Sequence, residues 1–138
     1  MTNTTGAGIF IEPERGRSYD MGRIAAIFKA DGEETANQCS VSEWWIEPNT
    51  KGFGAHSHEA EIELFYVLEG TMSFLVGQRW RDAKKGTVIL IPPGVQHDFE
   101  NRSNQRTGVL NVYIGGPFEM KMPKIVEWFA EHPTEDAI

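Results

Sequence analysis

The sequence is short of cysteine: among 138 residues only Cys39 carries a thiol, so no internal disulfide forms and the fold must rest on an apolar core. Cys39 itself reads as a small buried hydrophobe. Positive charge is also scarce, with 13 Lys and Arg against 20 Asp and Glu and a formal net charge of -7. A nucleic-acid backbone would be repelled unless basic residues clustered, and the longest basic run, Lys84-Lys85, reads as a solvated turn. Nothing approaches the roughly 18 apolar residues of a membrane span. The opening MTNTTGAGIFIEPERG has no basic stretch leading into an apolar one, so the expectation is a cytoplasmic protein without membrane contact. The sequons at Asn3 and Asn101 are then chance matches. There is no internal repeat, low-complexity tract or linker. One domain over residues 1–138 follows, with a core at about 38–116, the first seven and last five residues frayed, and enough chain to bury most of its apolar surface.

What is present is mostly strand. QCSVSEWWIEP (38–48), IELFYVLEG (62–70), TMSFLVG (71–77), GTVILIPPG (86–94), VQHDFEN (95–101) and RTGVLNVYIGG (106–116) are short and rich in Val, Ile, Phe, Trp and Tyr. Turn residues punctuate them at Pro48-Asn49, Glu69-Gly70, Lys85-Gly86, Pro92-Pro93-Gly94 and Ser103-Asn104. Two further strands are expected near 8–12 and 23–29. Helical spacing is confined to MPKIVEWFAEHP (122–133), a C-terminal helix at about 123–131 with Ile125, Val126, Trp128 and Phe129 on one side and His132 capping its end. Several strands at near-regular spacing make an all-β sandwich or barrel.

Alternation along a strand decides which side chains meet. In HDFEN, His97, Phe99 and Asn101 share the interior face, and Asp98 and Glu100 take the other. In ELFYVLE, Glu63 points inward with Phe65 and Val67, where an ionised carboxylate needs a partner or a metal. His56 and His58 share one face of an extended segment, while Glu59 and Glu61 read as a solvated rim. Three imidazoles and one carboxylate converge, the ligand set of an intermediate divalent cation. Glycines 52 and 54 lack the third glycine and the following helix of a phosphate cradle. Of the Trp44-Trp45 pair one ring must face inward and one outward, and the outward indole suggests a homodimer contact, with the N-terminal strands as the other candidate surface.

These residues resemble the cupins. The second cupin motif, G-x5-P-x-G-x2-H-x3-N, is matched in full by Gly86, Pro92, Gly94, His97 and Asn101. Five fixed positions coincide by chance well under about once per million starting points. The first motif, G-x5-H-x-H-x3 or 4-E-x6-G, is met at His56, His58, Glu63 and Gly70, with Thr50 standing where its leading glycine belongs and Gly52 and Gly54 nearby. The resemblance implies a single cupin double-stranded β-helix, a jelly-roll-like barrel, with His56, His58, Glu63 and His97 as metal ligands.

Four protein ligands close a tetrahedral zinc site, whereas Fe, Mn or Ni with the same four keeps positions open for substrate, which favours those metals over Zn or Cu. Phe65, Met72, Phe74 and Phe99 are expected to line the pocket, which suits a small aromatic or enol substrate, and no Arg or Lys falls on an inward strand position. The reading that follows is an oxygenase acting on a small enol, diketone or catechol, with Glu63 as ligand and catalytic group. A redox-neutral isomerase, lyase or cyclase and a non-catalytic binding module stand as alternatives.

Overall fold

Alternating apolar side chains dictate the architecture. In the computed structural model, which describes residues 7–138, Cys39–Ile46 is a strand whose Ser40, Ser42, Trp44 and Ile46 are buried while their neighbours face outward. Trp44 donates its indole N–H to Ser42 Oγ at 2.9 Å, so the pair enters the core with that donor satisfied. Among the described residues nine strands form: β1 Arg17–Asp20, β2 Ile24–Ala30, β3 Cys39–Ile46, β4 Ile62–Glu69, β5 Thr71–Val76, β6 Arg79–Lys84, β7 Val88–Ile91, β8 His97–Glu100 and β9 Thr107–Ile114. A short helix α1 (Gly32–Thr35) follows β2, and a 3-10 turn (Glu119–Lys121) leads into α2 (Met122–Glu131). The strands make two antiparallel sheets, ordered β1-β2-β3-β9-β4-β7 and β6-β5-β8. Between them lies the core, including Ile24, Phe28, Ile46, Val67, Met72, Phe74 and Val109, all at most 2% exposed. Each such side chain contributes about 1.5–3 kcal/mol by leaving water. No helix among the described residues is long and apolar enough to cross a membrane.

Two chemical devices fix the ends of the strands. Gly70 turns β4 into β5 at φ 75°, and a Cβ there would lie 2.6 Å from Thr107 Oγ1. Asn101 is fully buried: its Nδ2 lies 3.0 Å from the carbonyls of Ile46 and Glu47 and 2.7 Å from that of Gln105, while its Oδ1 accepts from Ser103 N–H and Oγ–H. The asparagine that ends the second motif therefore ties the end of β3 to the turn before β9.

Several expectations are corrected. Residues 8–12 form no strand; the edge strand β1 comes later, at Arg17–Asp20, paired with β2. Strand β6 reads RWRDAK, with only Ala83 buried, so its charged outer face hid it from a hydrophobic pattern. Asp98 and Glu100 are buried along with His97 and Phe99, because the 51–54 loop covers Asp98 and Arg102 covers Glu100 at 2.6 Å. Burial pushes the Asp98 carboxyl up to about 6. Cys39 is only partly buried. Trp128 is exposed, while Met122 and Phe129 carry the docking of α2, and His132 does cap the helix through a bond from its Nδ1 to Trp128 O. The last residues are strapped down: Lys51 N–H donates to Glu135 O, Arg23 pairs with Asp136, and Asn49 Oδ1 accepts from the amides of Ala137 and Ile138. Of the first seven residues, 1–6 lie outside the described residues.

Candidate metal centre

The four residues come from three places. His56 and His58 ride the loop between β3 and β4, Glu63 is the second residue of β4, and His97 opens β8. The loop is hydrogen-bonded onto the β8 region as if it were another strand: His56 and His97 exchange backbone bonds of 3.0 and 2.7 Å, and Gly94 N–H donates to His58 O at 2.7 Å. Gly52 makes the approach feasible, since a Cβ there would fall 1.8 Å from Phe99 O. It is a close-approach glycine two positions after Thr50.

Imidazole nitrogens of His56, His58 and His97 all lie within 4.8 Å of one another. Glu63 Oε1 sits 2.9 Å from His58 Nε2, and its Oε2 is 3.5 Å from His97 Nε2 and accepts from Asn111 Nδ2 at 3.3 Å. Backbone carbonyls orient two of the rings: Gly54 O and Val95 O each lie 2.9 Å from the Nδ1 of His56 and His97. A carbonyl only accepts, so both Nδ1 atoms carry hydrogen, and in the neutral rings Nε2 keeps its lone pair. Nε2 of His58 and His97 is buried without a hydrogen-bond partner, the contacts with Glu63 being short but poorly aligned. Buried nitrogen lone pairs gathered around a carboxylate fit a divalent cation and are otherwise costly. Burial pushes the Glu63 carboxyl up, but the neighbouring His58 and His97 outweigh it and hold the group at about 2. Burial lowers the His56 pKa; for His97 it is outweighed by Glu63 and the Val95 carbonyl, and the pKa rises.

His56, His58 and Glu63 line a cavity of about 300 Å³. Phe65 and Phe99 line it as expected, but Met72 and Phe74 sit in the core away from its wall. Trp44, Phe53 and Phe118 supply further aromatic wall, and Asn111 and Lys121 are polar lining groups that strand periodicity missed. Lys121 comes from the turn before α2, so no inward strand position could have disclosed it. Glu59 is exposed, whereas Glu61 is half-buried and bonds the hydroxyl of Tyr113, whose ring stands edge-on to His58 at 5.1 Å.

The model for the cupin domain matches residues 42–113, just over half of the chain. The chain belongs to the cupin family. Over 49 residues this cupin is 37% identical to the uncharacterized protein MJ1618 of Methanocaldococcus jannaschii, a match covering 36% of the chain and only 39% of the relative's length. A predicted oxalate decarboxylase from Thermotoga maritima superposes with a TM-score of 0.64 at 26% identity, over 68% of this chain and 82% of that one. KdgF from Halomonas sp. gives a TM-score of 0.71 at 16% identity, over 83% and 99%. The oxalate decarboxylase of Bacillus subtilis gives 0.65 at 16% over 75% of this chain and 28% of its own; the last two likenesses concern the fold alone. Lys121 and α2 lie outside the segment matched by the family model.

Proposed function

We propose that this cupin is a divalent-metal-dependent enzyme, an oxygenase that takes a small enol, diketone or catechol bound through its oxygens. The observation carrying this reading is that three imidazoles cluster, two of them beside Glu63, and that His56, His58 and Glu63 open onto a 300 Å³ cavity walled by Trp44, Phe53, Phe65, Phe99 and Phe118. A divalent ion held by His56, His58, Glu63 and His97 supplies Lewis acidity and, if it is Fe, Mn or Ni, a redox couple. The chain supplies the remainder. Phe65, Phe99 and Trp44 give a water-poor wall suited to a flat ring or enol. Glu63 lowers the charge of the centre from +2 to +1, and Asn111 helps fix its orientation.

A redox-neutral lyase or isomerase is the second reading, favoured by the likeness to the Thermotoga protein described as a predicted oxalate decarboxylase. Oxygen uptake by the purified metal-loaded protein on a catechol and diketone panel separates the two. Consumption of oxygen with substrate supports the oxygenase, and equal turnover under argon overturns it in favour of the second reading. Glu63→Gln keeps the size but removes the charge: it is expected to retain part of the metal and lose at least about 100-fold in turnover. Unchanged turnover with a verified substrate would make the carboxylate a bystander.

A further inference from the structure

We infer that Lys121 is an anion-recognition residue, so that the substrate carries a carboxylate at the end remote from its chelating oxygens. The inference rests on the metal-centre reading above and adds the far end of the ligand. Lys121 lines the cavity with His56 and His58, and its Nζ lies 5.2 Å from the Phe118 ring and 5.8 Å from that of Tyr113. Tyr113 in turn stands edge-on to His58, so the same ring neighbours both Lys121 and the imidazole cluster. No carboxylate among the described residues pairs with Lys121, in a chain whose acidic residues outnumber its basic ones. Lys121 is exposed at the rim and, apart from the imidazoles, is the cation lining this cavity, where an ammonium group without a carboxylate partner at an apolar opening is placed to meet an anionic ligand.

The backbone that carries it is firmly anchored. Asp31, itself buried, accepts from the amides of Phe118 and Glu119 at 2.9 and 3.0 Å. Glu119 is gripped by Arg17 at 2.8 Å and by the Tyr19 hydroxyl at 2.6 Å. These bonds fix the 118–121 turn over the cavity, and a fixed turn loses little further entropy when Lys121 meets a ligand.

A matched pair of probes tests this by calorimetry on the metal-loaded protein: 3,4-dihydroxybenzoate and 4-methylcatechol share the chelating diol and differ in the carboxylate. Wild type is expected to prefer the benzoate by about tenfold. Lys121→Met should abolish that preference while leaving methylcatechol affinity and metal content unchanged, and Lys121→Arg should restore it. Equal affinity of wild type for both probes, or a preference that survives Lys121→Met, overturns the assignment while leaving the metal centre standing. Failure of both probes to bind overturns the chelation reading and this one with it.

Discussion

Replacing Asn101 with alanine is expected to lower stability by about 4 kcal/mol, because three backbone carbonyls lose their shared donor and two Ser103 groups lose their acceptor in a site without exposure. For a chain of this length that corresponds to a fall in Tm of roughly 10–20 °C, read by scanning calorimetry. Asn101→Asp keeps the acceptor and removes the donor, so it should recover little. A fall in Tm below about 3 °C for the alanine variant would mean that the tie between β3 and the turn before β9 is dispensable.

His97→Ala is expected to weaken divalent-metal binding by more than roughly 100-fold while leaving a folded β protein. The side chain is buried, and without metal the protein loses the Nδ1 bond to Val95, the 3.5 Å contact of Nε2 with Glu63 and some packing, none of which holds the sheets together. Metal titration with circular dichroism as the fold control reads both effects. Competition with protons gives the same centre a pH dependence. Imidazoles bind metal only when deprotonated, so wild-type affinity should fall as pH drops through the histidine range near 6.5. Since Glu63 holds its carboxyl at about 2, it stays ionised throughout that fall. The decline between pH 7 and 5 therefore belongs to the histidines. Full metal occupancy in a His56→Ala, His97→Ala double variant would contradict the ligand assignment.

The inward position of Glu63 was legible in the sequence because strand alternation is strict where one face is buried, whereas His56 and His58 lie on a loop and stood out through the cupin motif. Glu63, Phe65 and Val67 needed only the period of two, and the glycines and prolines at 70 and 92–94 marked the turns that bring β8 back. Strand β6 was illegible because its outer face is charged and its inner face reduces to Ala83. Alternation misjudged Asp98 and Glu100, since it describes one sheet and takes no account of a loop or an arginine laid over the second face. Lys121 and the strapped C-terminal tail depend on contacts between residues far apart in sequence, through Asp31, Asn49 and Arg23, which no local pattern encodes. Met72 and Phe74 show the opposite error: apolar strand residues assigned to the cavity belong to the core, because an inward face in a two-sheet fold serves both.

We propose a single divalent ion held by the imidazoles of His56, His58 and His97 and the carboxylate of Glu63. Elemental analysis of protein purified without added metal, followed by X-ray absorption at the edge of the metal found, tests it most directly. Close to one equivalent per chain is expected, with nitrogen and oxygen neighbours, an imidazole signature, and loss of that signature in His97→Ala. A sulfur neighbour, which Cys39 alone among the cysteines could provide, or a metal content unchanged by His97→Ala would contradict it.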